Sequence, residues 1–307
     1  MLISVCIPTY SRLEYLKLAV NSVFAQTYTN FEICVAQDPM PNGPSSEIME
    51  WCEANATSNP KFRYQLNKEN VGLAGNWNVL SNMAEGSYVI ILGDDDTLEP
   101  TYLERLTRNI VSNKPDVVFC DQNFIDEVGN IKVELTEEMS LKYYRSNLQS
   151  GLLSNSIEVV LNNTVPMSSS LIKRHHLLSY PFDPTLNTPE LEVFMKIAAG
   201  GGIFEYVKER LANYRVHQGS ATSGGLKIHY LLRNIIPIKV PEAYEQFKYK
   251  LVSQRIIPAI NICIREGDKK LAKQLLSSKY YPPGKIHLKL IQSILLACPA
   301  FIIKKVL

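Results

Sequence analysis

Short apolar runs alternate with helix-spaced segments through the first 120 residues, and that alternation constrains the chain more than any other feature. "LISVCIP" (2–8) and "FEICVAQ" (31–37) read as strands, and between them Leu13, Leu16, Val20, Val23 and Phe24 recur at helical spacing. The series continues with a helix over 45–55, a short strand "FRYQL" (62–66), a helix over 74–83 and a strand "SYVIIL" (87–92). A helix opening near Pro100 and a strand "DVVFC" (116–120) extend it. Strand runs without polar alternation need cover on both faces, which predicts an α/β fold with a mostly parallel sheet flanked by helices. A chain of 307 residues has room for one large domain of this kind and an appendage, or for two modest domains.

In such sheets ligands gather beyond the carboxyl ends of the strands. "PTYSR" (8–12), "QDPM" (37–40) and "GDDD" (93–96) all fall there, so loops from three strands are expected to meet in one cleft. Asp94, Asp95 and Asp96 follow directly on a buried strand. Carboxylates so close repel one another and resist desolvation, so the triplet is best tolerated with a divalent cation or in full contact with water. A solvated helix start is the other reading, with Asp and Thr97 in capping positions ahead of Pro100. Further on, "EVGN" (127–130) suggests a hairpin turn, a helix is expected over 188–199, and "RLANYRVH" (210–217) reads as a late strand.

Beyond the Gly/Ser-rich break "HQGSATSGG" (217–225) the chain turns helical and basic. From Leu226 onward there are 15 Lys and Arg against 4 Asp and Glu, whereas the preceding residues carry 17 against 26. The cations interleave with Leu, Ile and Phe, as in a helix lying in a membrane interface. A helical appendage packed on the first domain or on a second subunit fits the same pattern, and Pro299 is expected to break or kink the last helix. No apolar run of about 18 residues occurs, so no transmembrane helix is expected. Cys6, Cys34, Cys52, Cys120, Cys263 and Cys298 are scattered, with no C-x-x-C pair and no secretory signal. They read as reduced packing thiols in a cytoplasmic protein, peripheral at most on the inner face of the cell membrane.

Four segments in order carry a resemblance: "SVCIPTYSRLEYLKLAVNSVFAQTYTNFEICVAQD", "NVGLAGNWN", "GSYVIILGDDDTLEP" and "YRVH". Over roughly residues 2–225 the chain resembles glycosyltransferase family 2, inverting enzymes with a GT-A fold. The resemblance implies a nucleotide-sugar-binding half over 1–120 and an acceptor-binding half over 121–225, leaving a helical C-terminal extension over 226–307. It implies sugar transfer from a nucleotide diphosphate-sugar assisted by Mn²⁺ or Mg²⁺. On the matching positions Pro8, Thr9 and Tyr10 hold the nucleobase, with Tyr10 stacked on it, and Arg12 reaches a phosphate. Asp38 accepts the N3–H of uracil, which favours a UDP-sugar, or a dTDP-sugar, over a purine donor. Gly72 and Gly75 let the backbone approach a ligand or turn, and Asn70 and Asn78 supply amide hydrogen bonds near the donor. Trp77 stands where many members carry Arg, which points to packing there. Asp94 and Asp95 fall on the metal and ribose positions, with Asp95 the leading metal ligand and either Asp94 or Asp96 assisting; Gly93 stands where many relatives are acidic. Arg215 and His217 of "YRVH" come near the diphosphate, His217 within reach of the metal, and 220–225 form part of a lid.

An inverting transfer also needs a base for the acceptor hydroxyl. Glu190, in "TPELEVFMKIA" (188–198), matches the family's acidic helix start and is the expected base. Glu192 is the alternate, about 200° round the helix. Glu190 in a first turn with Thr188 as N-cap also reads as a dipole partner. The expected activity is metal-dependent inverting transfer to a glycan or lipid-linked glycan in surface polysaccharide biosynthesis, with no nucleic acid among the partners and an oligomer left open. A non-catalytic nucleotide-sugar or glycan-binding protein of the same fold is the rival; loss of the aspartates or of the carboxylate near Glu190 would favour it, and neither is lost. A nucleotidyltransferase would carry a glycine-rich basic phosphate loop after the first strand, which "PTYSR" is not.

Overall fold

The computed structural model describes residues 1–217 and 225–298. Contacts divide the chain into two compact units, Met1–Gly225 and Leu226–Leu307. In the first, β1 (Ile3–Thr9), β2 (Phe31–Gln37), β3 (Phe62–Leu66) and β4 (Tyr88–Ile91) lie parallel in the spatial order β3-β2-β1-β4. The helices α1 (Leu13–Phe24), α2 (Ser46–Ser58) and α3 (Gly72–Met83) make the crossovers between them. Every residue of β1 and β2 is buried, the consequence of helices on both faces. α1 buries Leu16, Ala19, Val20 and Val23, one stripe at helical spacing.

After β4 the chain forms β5 (Thr97–Leu98), α4 (Tyr102–Asn113), β6 (Val117–Ile125), α5 (Val133–Lys142), β7 (Gly151–Leu153) and α6 (Ser156–Leu161). Then come β8 (Ser170–Lys173), α7 (Arg174–Ser179), α8 (Glu190–Ala199) and β9 (Phe204–Arg215). The sheet runs on from β4 as β8-β6-β9-β5, with β7 added on β9. β8 is antiparallel to both β4 and β6, and β6 is parallel to β9. The carboxyl ends of β6 and β9 therefore return to the edge where β1, β2 and β4 end. Everything at that edge can share one site.

Two local expectations change. The aspartate triplet does not open a helix: Thr97 and Leu98 pair with Asn213 and Ala212 of β9, so the capping alternative is replaced by a strand. The turn at 127–130 closes with a single bridge, Ile125 to Ile131, and the chain enters α5 at Val133 without a second hairpin strand. Asp126 Oδ1 accepts from Val128 N and Asn130 N and fixes that turn.

The second unit is helical: α9 (Ile228–Ile235), α10 (Glu242–Glu266), α11 (Lys269–Leu276) and α12 (Ile286–Ala297). α10 supplies its core through Leu251, Val252, Ile256, Ala259, Ile260 and Cys263, and ends where Gly267 takes a left-handed φ of 81°. Gln292 fastens α12 to α10 by donating to Ile257 O (3.0 Å) and Asn261 Oδ1 (2.7 Å). Among the described residues no helix is long and apolar enough to cross a membrane. Cys6, Cys34, Cys52, Cys120 and Cys263 are buried free thiols, and Cys298 is partly exposed. The lid expected at 220–225 falls mostly, and the kink at Pro299 wholly, outside the described residues.

Candidate active site

β1 and β4 run side by side with Cys6 opposite Ile91, so the loop after β4 emerges beside the end of β1. There Thr9 Oγ1 donates to Asp94 Oδ2 at 2.9 Å. Arg12, from the loop between β1 and α1, forks across two carboxylates: Nη2 donates to Asp94 Oδ1, and Nη1 to Asp95 Oδ2 at 2.7 Å. His217, just past β9, brings Nε2 within 2.8 Å of Asp95 Oδ2 and 2.9 Å of Arg12 Nη1. Asp96 is engaged differently, its Oδ1 accepting from Arg215 N at 2.9 Å and its carboxylate bonded by Ser168. Burial pushes Asp94 up to about 6 against the opposing pull of Arg12. Burial and then the charge of Asp95 raise Asp96 well above the usual carboxylate range. Gly93 is a close approach: a Cβ there would meet Asp95 Oδ1 at 2.7 Å and Asp96 Oδ2 at 3.1 Å. A side chain at 93 would push the carboxylate groups of Asp95 and Asp96 from these positions, and an acidic one would add a like charge beside them.

These residues fit a divalent cation. Asp94 and Asp96 are carboxylates whose burial disfavours their charged forms, and Asp95 Oδ2 and His217 Nε2 already converge. Among the described residues, three possible ligands with atoms within 4.8 Å of one another come together elsewhere, at Asp116, His175 and His176. This group stands before the start of β6, at the opposite edge of the sheet, and Asp116 is already bonded by Lys173 Nζ (3.0 Å), His176 Nε2 (3.0 Å) and Ile203 N (2.8 Å). Those bonds outweigh its burial and hold Asp116 down to about 2. It is a fastened structural carboxylate, not part of this site.

Asp38 lies beyond β2, where its Oδ1 accepts from Asn67 Nδ2 (2.8 Å) and Val71 N (3.3 Å). Asn67 also reaches Asn76 Oδ1 (3.2 Å), and Asn76 donates to Ala36 O (2.9 Å), so the carboxylate has a fixed orientation. Pro8 and Thr9 are buried in β1, while Tyr10 is 38% exposed and offers a ring face to a ligand. Asn70 is used locally: Oδ1 accepts from Gly72 N (2.9 Å) and Nδ2 donates to Pro39 O (3.3 Å). Gly72, at φ 73°, takes a left-handed turn into α3 that a side chain would strain.

Two expected donor contacts are spent elsewhere. Asn78 closes on the backbone of Phe182 in both directions, Nδ2 to O and Oδ1 from N, each 2.8 Å. Trp77 packs edge-on against the same Phe182 ring at 5.1 Å. Arg215 is buried, its Nε donating to Asp95 O (2.7 Å) and its Nη1 to Asp126 O (2.9 Å) and Glu127 O (3.1 Å), with the guanidinium over the Tyr15 ring at 4.9 Å. These three bonds to backbone carbonyls make it a brace of the aspartate loop.

Glu190 opens α8, whose N-cap is Pro189 with no side-chain cap, so Thr188 does not cap it. The residue is half-buried, yet its Oε2 is enclosed with no hydrogen-bond partner among the described residues. Burial pushes the carboxyl up to about 7. The Tyr214 hydroxyl, raised first by burial, also feels the charges of Asp96, Asp95 and Glu190, so it is the group between Glu190 and the aspartates. Glu192 is buried and paired with Lys196 Nζ at 2.5 Å, one turn along the helix.

A family model described as "Glycosyl transferase family 2" matches residues 4–162, just over half of the chain. The chain belongs to glycosyltransferase family 2. An uncharacterized glycosyltransferase of Methanocaldococcus jannaschii is 26% identical over 70% of this chain and 71% of that protein. The abequosyltransferase RfbV of Salmonella typhimurium is 26% identical over 78% and 74%. Among solved structures, S. aureus TarS 1-349 in complex with UDP aligns at a TM-score of 0.66 and 16% identity, covering 96% of this chain and 88% of that one. The mannosyltransferase PcManGT of Pyrobaculum calidifontis, with GDP-Man and Mn²⁺, aligns at 0.59 and 14%, covering 96% and 85%. These likenesses carry the fold, which is GT-A with a helical C-terminal region.

Sequence reasoning about this family-2 glycosyltransferase missed Tyr15, Asn67, Asn76 and Tyr214. Asn67 directly follows β3 at the ligand edge, the signal that picked out Asp38, and it was available in the sequence. Tyr15 carries no such mark, because its value comes from Arg215, remote along the chain, whereas Tyr214 stands inside "YRVH", a motif read for Arg215 and His217 alone.

Proposed function

We propose that this enzyme transfers a sugar, with inversion, from a pyrimidine nucleoside diphosphate-sugar, UDP- or dTDP-linked, to a hydroxyl of a glycan or lipid-linked glycan in surface polysaccharide biosynthesis. The observation that carries the catalytic part is Glu190: an enclosed carboxylate oxygen, unpartnered among the described residues, on a group that burial raises to about 7, with Tyr214 feeling both its charge and those of Asp95 and Asp96. Glu190 takes the proton of the acceptor hydroxyl as its oxygen attacks the anomeric carbon from the face opposite the diphosphate. Asp38 accepts the pyrimidine N3–H, Tyr10 stacks on the base and Asp94 faces the ribose. Asp95 and His217 are the residues that would hold Mn²⁺ or Mg²⁺, with Asp96 bracing the loop. The bound ion supplies Lewis-acid neutralisation of the charge on the departing diphosphate. The TarS complexes with UDP and UDP-GlcNAc support a uridine donor, whereas PcManGT with GDP-Man makes a purine donor the competitor. Contact of the second unit with a membrane would raise the local concentration of a lipid-linked acceptor.

The test is nucleoside diphosphate release from a panel of UDP-, dTDP- and GDP-sugars with Mn²⁺, with and without glycan and lipid-linked acceptors, followed by NMR of the product anomer. Pyrimidine donors and an inverted linkage are expected. Turnover with GDP-sugars alone would overturn the Asp38 reading, and a retained anomer would overturn Glu190. Tight donor binding without turnover on any acceptor would leave a non-catalytic nucleotide-sugar-binding protein.

A further inference from the structure

The Asp94–Asp95 pair already has a cation. Among the described residues its ion pairs come from Arg12, which touches both carboxylates, and from His217 when protonated. The Arg215 guanidinium donates instead to the carbonyls of Asp95, Asp126 and Glu127. Arg12 Nη1 stands 2.7 Å from Asp95 Oδ2 and 2.9 Å from His217 Nε2, within the set of atoms that a metal would use. Its side chain is 32% exposed while that of Asp94 is 3%, so the guanidinium is nearer solvent and the carboxylate behind it. Arg12 makes no side-chain cap to α1, so it can leave the carboxylates without undoing the helix.

We propose that Arg12 is a resident counter-ion of the Asp94–Asp95 pair, one that a divalent metal must displace and that the donor's diphosphate then captures. This rests on the donor reading given above. A metal entering alone meets a like charge already bonded to its ligands, and displacing Arg12 leaves a guanidinium without an anion. A diphosphate supplies that anion in the fork geometry a guanidinium matches. Metal and nucleotide therefore favour each other through Arg12 as well as through the metal–phosphate bond itself, and the coupling is reciprocal. Arg12 acts here as a positioning residue, exchanging partners while the metal takes its place.

The experiment is Mn²⁺ binding to the full-length protein, followed by electron paramagnetic resonance of free Mn²⁺, with and without UDP. Wild type, Arg12→Gln and Arg12→Lys are compared, with Asp95→Asn as the control that loses the ion. Arg12→Gln is expected to bind Mn²⁺ alone about tenfold more tightly than wild type, within the usual range of coupling, and to gain less from UDP by a similar factor. Arg12→Lys, which keeps the charge and gives up the fork, falls between. The sign separates this from a structural role, because an Arg12 that merely held the aspartates in place would weaken Mn²⁺ binding when removed. Equal or weaker Mn²⁺ binding by Arg12→Gln overturns the proposal. If that variant does not fold, Arg12→Lys binding Mn²⁺ alone no more tightly than wild type overturns it too. If UDP binds no variant while Arg12→Gln still tightens Mn²⁺, the donor reading fails and the counter-ion role stands.

Discussion

Glu190 and Glu192 are two carboxylates in the first turn of one helix, and their surroundings divide the work. Glu192 has a lysine at 2.5 Å and is held as a structural ion pair. Glu190 has an enclosed oxygen without a partner among the described residues, so ionising it goes uncompensated. Glu190→Gln should lose transfer by about 10² or more while donor binding survives, the scale of general-base loss, and Glu192→Gln should stay active. The opposite pattern in a steady-state assay would exchange their roles. The wild-type rate should rise with pH through about 7, as Glu190 gives up its proton. Stability carries the opposite sign. A carboxyl raised from 4.5 to about 7 favours the fold while protonated, and that contribution is lost as pH rises through the upper value. Without metal or nucleotide, Glu190→Gln should therefore match wild type in Tm near pH 4 and exceed it near pH 8. A Tm difference that stays flat between those limits would show that the carboxylate is solvated in solution. The sequence displayed the residue type and its helix start; enclosure of Oε2 depends on packing from remote segments and had no local signature.

At the scale of elements, β1 to β4 and their helices were legible because a strand buried on both faces is a continuous apolar run and an amphipathic helix repeats at 3.6 residues. β5, at Thr97–Leu98, is too short to show a period, and its pairing with β9 turned a plausible helix cap into a strand. "YRVH" lies where β9 ends beside the aspartate loop, but the direction of the Arg215 guanidinium depends on Tyr15 and on the carbonyls of Asp126 and Glu127. Asn78 teaches the same lesson. Its residue type suggested a donor amide, whereas both ends of the amide hold Phe182, a short way ahead of the helix that presents Glu190. Asn78→Ala should cost about 1–3 kcal/mol, the loss of two hydrogen bonds, and lower kcat through α8 with little change in donor affinity. Urea unfolding and UDP titration of the variant check this. Unchanged stability with a tenfold weaker nucleotide would return Asn78 to the donor site.

Over the whole molecule, charge and apolar surface are distributed in a way that folding of the first unit does not require. The second unit's sequence carries 15 Lys and Arg against 4 Asp and Glu. Its α12 buries Gln292, Leu295 and Leu296 and leaves Ile286, Leu290 and Ile294, one stripe at four-residue spacing, 67%, 62% and 65% exposed. Exposed Lys285 precedes the stripe, and Lys289 lies over the Tyr281 ring. An apolar helical face with cations around it matches the interface of an anionic bilayer, where alkyl groups enter the acyl boundary and ammonium groups meet headgroups. A second copy of the chain could cover the apolar stripe, but the surplus positive charge of each unit would oppose bringing two together. Membrane contact through this face is the expectation that vesicle binding tests. Each cation near such a surface contributes on the order of 1 kcal/mol and is screened by salt, so such a contact would be reversible. Full-length protein should co-sediment with vesicles containing phosphatidylserine at low salt, less at high salt, and little with neutral vesicles. Leu290→Asp with Ile294→Asp places two carboxylates in the stripe without touching the residues that pack on α10, and should abolish the binding while nucleotide affinity holds. Undiminished sedimentation of that variant would remove α12 from the contact. Loss of a dimer in sedimentation equilibrium, with wild type failing to bind vesicles at all, would give the stripe to a second copy instead.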